Sequence, residues 1–146
     1  MEKMHIRLPE DAWHGYSMES LWVTRLGPDR FRLENSPFFG RGLSYKDQVQ
    51  AIKEDDALVF ERILAPSGHS TYRIILLEEA EKDLFHRYWA PIAAEGCTYE
   101  QGSFGYDLYS VDVPKNTDLE KVFVFLETGF RNKVWDFEEG HSGHQN

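Results

Sequence analysis

Between Thr71 and Glu138 the apolar period changes in a fixed order, and that order restricts the folds open to the chain. Alternating apolar and polar residues at Thr71–Leu77, Cys97–Gln101, Leu108–Val113 and Val134–Glu138 predict four strands. Two stretches between them repeat at helical spacing instead. In Glu79–Glu95, Leu84, Tyr88 and Ile92 fall on one line with Phe85 and Trp89 beside them. In Asp118–Thr128, Leu119, Val122, Phe123 and Leu126 form the apolar face. Strand, helix, strand, strand, helix, strand is the order of a ferredoxin-like βαββαβ sandwich, with both helices on one face of an antiparallel sheet.

The punctuation of these helices carries further expectations. Pro91 cannot donate to the helical ladder and crowds the turn before it, which predicts a kink or an early end. Gly96 suits a terminator. Thr117-Asp118-Leu119-Glu120 fits a capping box with Thr117 as the cap. Gly129 stands where a left-handed C-terminal residue is wanted. The tail 141–146 holds no apolar residue and is expected to fray.

The first half predicts β structure throughout. Strand-forming runs lie around His5–Leu8, Leu21–Leu26, Arg30–Glu34, Val49–Lys53 and Leu58–Leu64. Gly27-Pro28-Asp29 and Glu54-Asp55-Asp56 read as the turns between them. Short strands with polar turns suggest a small barrel. The predicted class is therefore α+β. A small SH3-like β-barrel over residues 1–66 packs on a ferredoxin-like subdomain over 67–140, followed by a disordered tail over 141–146. Pro66-Ser67-Gly68 marks the seam and is too short to let the halves tumble independently.

Charge and cysteine usage narrow the function classes. With 25 acids against 16 bases the chain carries −9, which repels phosphate backbones and favours basic partners. A protein partner is expected, and nucleic acid is not. No apolar run reaches membrane-spanning length, the first residues lack a secretory apolar stretch, and one cysteine cannot form an internal disulfide. A cytoplasmic protein is the expectation.

Two segments stand out as candidate sites. The first is Ser67-Gly68-His69-Ser70-Thr71-Tyr72-Arg73. Serine beside histidine invites a nucleophile-and-base reading. Neighbours on a strand point to opposite faces, however, so His69 and Ser70 are not expected to bond each other. The plainer reading is a turn at Gly68 whose polar neighbours satisfy buried backbone groups; the functional one is a polar cluster opening on a groove between the halves. Ser67, Gly68, His69, Ser70, Thr71 and Arg73 are the candidates. The second segment holds Phe38 and Phe39 between Pro37 and Gly40. They either plug the end of the barrel or form an exposed aromatic patch for a partner. Asp112 is expected to face water or pair with Arg73, and Cys97 to lie in the core. No catalytic residue is assigned, and neither a metal site nor a cofactor is expected: His141 and His144 sit on the tail, and no Gly-rich phosphate loop joins a strand to a helix.

Five segments occur in order: Asn35-Ser36-Pro37-Phe38-Phe39, Asp47-Gln48-Val49, Ser67 to Arg73, Gly96-Cys97-Thr98-Tyr99-Glu100, and Tyr109-Ser110-Val111-Asp112-Val113-Pro114. On these the chain, from about Leu21 to Gly140, resembles the bacterial DUF4265 family, a domain of unknown function. The resemblance implies a bacterial origin and supports the fold but supplies no activity. The leading expectation is a non-enzymatic binding or interaction protein, in its specific form an immunity-type protein masking a basic toxin. The alternatives are a small hydrolase or ligand-processing enzyme using His69, Ser70 and Arg73, and an RNA-binding module.

Overall fold

The computed structural model of the protein describes residues 1–77 and 82–144. Its first five strands are β1 (Glu2–Arg7), β2 (Met18–Arg25), β3 (Arg30–Leu33), β4 (Gln48–Glu54) and β5 (Ala57–Ala65). They pair antiparallel in sequence order and close into a barrel where His5 of β1 meets Val59 of β5 in a parallel bridge. The alternation read from the sequence points Met4, Ile6, Leu21, Val23, Phe31, Leu33, Val49 and Ala51 inward, where they form one cluster. Asp55 and Asp56 both take positive φ at the β4–β5 turn, as a two-residue hairpin connection requires.

The second half runs β6 (Ser70–Leu76), α1 (Lys82–Ala94), β7 (Thr98–Ser103), β8 (Asp107–Val113), α2 (Leu119–Arg131) and β9 (Trp135–His141). The sheet order is β7-β8-β6-β9 and every pairing is antiparallel. One face of β6 and β8 presents Tyr72, Ile74, Tyr109, Val111 and Val113 to Phe85, Trp89 and Ile92 of α1 and to Val122 and Leu126 of α2. The opposite face presents Thr71, Arg73 and Ile75 beside Asp112, Ser110 and Leu108. This second face meets the 34–47 loop of the barrel. The central strand is consequently buried on both sides, which is why six of the seven residues of β6 are buried.

Several local expectations change. The helix does not end at Pro91. Proline falls in the last turn, and the only carbonyl it deprives of a donor belongs to Arg87, an exposed residue. The expected start at Glu79 lies outside the described residues. At α2 the cap is Asp118, whose carboxylate accepts from Lys121 N at 3.3 Å, while the Thr117 hydroxyl donates to Glu95 O and ties the helix to the end of α1. Gly129 is not a terminator. The helix continues to Arg131, Lys133 supplies the positive φ of 58°, and Gly129 instead gives room to Trp135.

The tail also departs from expectation. His141 belongs to β9 and its Nδ1 lies 2.8 Å from Ser44 Oγ. His144 Nδ1 lies 2.6 Å from Ser70 Oγ, and Gly143 N donates to the same oxygen. Polar composition suggested a solvated end, but Ser44 and Ser70 are fully buried and need polar partners, which the tail supplies. Residues 145–146 lie outside the described residues.

Cys97 lies in the helix–sheet core. Burial, with Asp112 and Glu95 adding negative charge, pushes its thiol up to about 12. The native protein is therefore expected to resist a disulfide-exchange reagent such as Ellman's reagent at pH 8, and to react once unfolded in guanidinium. Rapid titration of one thiol in the native state would contradict this burial.

Candidate functional site

The 34–47 loop is held from two sides. From the barrel, the Glu19 carboxylate of β2 accepts the backbone N–H groups of Phe38, Phe39 and Gly40 at 2.6, 2.9 and 2.8 Å. From the sheet, Arg73 of β6 donates to the carbonyls of Phe38 and Gly40, and to Glu138 of β9 at 3.1 Å. Ser110 adds a bond to Pro37 O at 2.7 Å. Arg73 is 2% exposed. Burial lowers its pKa and Glu138 opposes that, but arginine's ordinary value is so high that the guanidinium stays charged.

This clamp decides where Phe38 and Phe39 go. Phe39 is buried and Phe38 partly buried, packed with Leu8, Leu108, Ile75, Phe104 and Tyr106 at the junction of barrel and sheet. They do not form an exposed patch, because the backbone around them is fixed at three amides and three carbonyls. Their role is nearer to the plug, although they fill the seam rather than the barrel end.

The Ser67–Arg73 segment divides among separate partners. Ser67 N and Oγ bond to Asp47 and to Tyr45 O, which anchors the crossing into the sheet. Gly68 has φ +88°, and a Cβ there would press into the Lys115 side chain at 2.9 Å. Thr71 Oγ1 bonds to Leu43 O and to Ser44 Oγ. Ser70 is fully buried against the tail, so its hydroxyl has no path to a substrate. His69, Ser70 and Arg73 are not brought together.

His69 and Arg73 both reach cavities, on different parts of the seam. His69 Nδ1 lies 2.8 Å from Asp112 Oδ1, with Tyr45 beside its ring at 5.8 Å. Asp112 thus pairs with His69 rather than Arg73: the strand register sets Thr71, not Arg73, opposite Asp112. The pair lies in the wall of a groove of about 650 Å³ between barrel loops and sheet, along with Asn35, Lys46, Tyr99, Glu100 and Lys115. Asp112 is 8% exposed, and burial pushes its carboxyl up despite the His69 contact. The Glu100 carboxyl is also pushed up, by burial and by the charge of Glu19. At Asp112 the neighbouring Lys46 and His144 oppose that rise without cancelling it. Lys46 and Lys115 are exposed at the rim.

Glu19 and Glu138 were missed in the sequence, and the two tail histidines were considered there only as a metal pair. The one available signal was Glu19, an acid placed just before the apolar alternation of β2 begins.

The family profile of the Domain of unknown function DUF4265 matches residues 19–137. The chain belongs to the DUF4265 family. The match takes in Glu19, both phenylalanines, the Ser67–Arg73 segment and Asp112, so the clamp and the groove lie almost wholly within the DUF4265 region. No curated protein matches the chain. A solved structure described as a hypothetical protein from Neisseria gonorrhoeae is similar at 21% identity with a TM-score of 0.81, over 98% of this chain and 96% of that one. That likeness shows a shared α+β fold for this DUF4265 chain. Among the described residues no helix is long and apolar enough to cross a membrane.

Proposed function

We propose that this DUF4265 chain is a binding protein whose seam groove accepts a cationic side chain from a basic protein partner. The observation that carries the reading is Asp112. Burial raises the pKa of this carboxylate more than His69 at 2.8 Å and the nearby Lys46 lower it, so a further cation at the groove wall favours its charged form. Glu100, exposed on the wall of the same groove, adds a second negative charge. An arriving arginine or lysine supplies that cation, and the chain's net −9 steers a basic partner toward it. An immunity-type role against a basic toxin is one form of this reading, supported by charge and size. We read the halves as an SH3-like barrel and a ferredoxin-like sandwich, supported by the closed five-stranded order and by the β7-β8-β6-β9 order. We read the protein as cytoplasmic on the strength of a single, buried cysteine.

The test uses a capped tetra-arginine peptide and its uncharged tetra-citrulline counterpart, followed by amide chemical shifts at low ionic strength. The arginine peptide is expected to shift Tyr45, Tyr99, Glu100 and Asp112, and the citrulline peptide to leave them in place. Asp112→Asn keeps an acceptor for His69 and removes the charge, so it should weaken the peptide about fivefold. It should also raise the melting temperature at pH 7. The sign follows from the raised folded pKa: the stability linked to Asp112 is present below its unfolded pKa and lost as pH rises through the folded one. The stability advantage of Asp112→Asn should accordingly vanish below about pH 4. Equal binding of both peptides, or unchanged binding by Asp112→Asn, would overturn the proposal.

A further inference from the structure

A second cavity, of about 490 Å³, lies on another part of the seam and shares no residue with the groove at His69. Its size is that of a small-molecule site. Trp13 and His14 of the loop joining β1 and β2 form one wall, and Phe39, Leu8 and Leu43 form the apolar floor. The Trp13 ring lies 6.3 Å from Phe39 and 5.9 Å from Tyr106, yet Trp13 is 54% exposed. A large indole resting on the mouth of an apolar cavity offers a ligand ring a partner at modest ordering cost.

The charge around this cavity runs against the rest of the chain. Acids outnumber bases in the whole sequence, whereas Arg7, Arg41 and Arg73 line the cavity against Asp11 and Glu138. Two of these cations are occupied. Arg7 bonds to Glu54 at 2.7 Å, and Arg73 holds two carbonyls and Glu138. Arg41 is the one with little to lose. Its contact to Glu138 is 3.4 Å long, its side chain is 64% exposed, and Glu138 already has Arg73. His14, within the same wall, has its pKa lowered by burial and by Arg73, and its Nδ1 accepts from Tyr16 N, so the positive charge of the cavity comes from the arginines.

We propose that this cavity binds a small aromatic anion, its ring against Trp13 and Phe39 and its carboxylate or sulfonate on Arg41. Arginine's planar fork suits such a group, and exchanging a long contact to an already paired glutamate for a bidentate one favours the bound state.

The experiment titrates the protein with indole-3-acetate, with tryptamine as the cationic analogue and cyclohexylacetate as the non-aromatic one. The readouts are the Trp13 indole N–H and the Gly40 amide. Indole-3-acetate is expected to shift both saturably, with a dissociation constant below about 1 mM. Tryptamine and cyclohexylacetate should each bind at least about fivefold more weakly. Arg41→Gln, at an exposed side chain, should leave the melting temperature unchanged and weaken indole-3-acetate by about tenfold. Absence of a saturable shift in the parent protein, equal binding of tryptamine, or undiminished binding by Arg41→Gln would each overturn the assignment.

Discussion

Replacing Arg73 with methionine is expected to destabilise the protein by about 3–5 kcal/mol, one of the largest losses any single exchange here should cause. Methionine fills much of the same volume, so the loss does not come from a void. It comes from what is left behind. The carbonyls of Phe38 and Gly40 lose their donor inside the seam, and Glu138 loses its closest cation. Gly140 packs against the guanidinium itself, where a Cβ would come within 3.2 Å of its carbon, so the surrounding backbone is shaped to arginine. In thermal melts the shift should be a fall of roughly 10 °C. Arg73→Lys should recover little, because a single ammonium cannot reach two carbonyls and a carboxylate in the same fork. Glu19→Gln releases the same loop from the barrel side and should cost less, about 1–2 kcal/mol, since an amide oxygen still accepts part of what the carboxylate did. The two exchanges act on one loop and should couple in a double-mutant cycle.

Gly129→Ala is expected to lower stability by about 2–3 kcal/mol, although alanine is the better helix former by about 1 kcal/mol. A Cβ at Gly129 would fall inside the indole of Trp135. That indole cannot step aside. It is fully buried, and its Nε1 donates to Leu126 O at 2.9 Å. Either α2 lifts off β9 or the hydrogen bond breaks. Adding Trp135→Phe removes Nε1 and the outer part of the indole with Cζ2, two of the atoms that the Cβ would meet. The double variant should then be less damaged than the sum of the singles. A Gly129→Ala protein that melts higher than its parent would show that α2 packs differently.

Strand order was legible because it rests on periodicity, which survives in any surroundings. The four strands of the second half and the five of the first lie within a few residues of their predicted places. Errors gathered where a residue has two uses. Glycine ends helices, but it also lets a tryptophan lie against one, and Gly129 does the latter. Thr117 is a good cap, yet its hydroxyl serves Glu95 and leaves the cap to Asp118. At the candidate site, His69 and Ser70 were rightly held apart on strand geometry, since one bonds to Asp112 and the other to His144. The clamp on Phe38–Gly40 could not be read, because Glu19, Arg73 and the loop are joined only by the tertiary fold. For the same reason a loop with two phenylalanines looked available to a partner and proved to be the filling of the seam.

Barrel and sheet form one cooperative body, locked through the loop that Glu19 and Arg73 grip. Calorimetric unfolding of the whole chain decides whether this is so. A single transition is expected, with calorimetric and van't Hoff enthalpies equal. Two resolved transitions, or a calorimetric enthalpy well above the van't Hoff value, would contradict it.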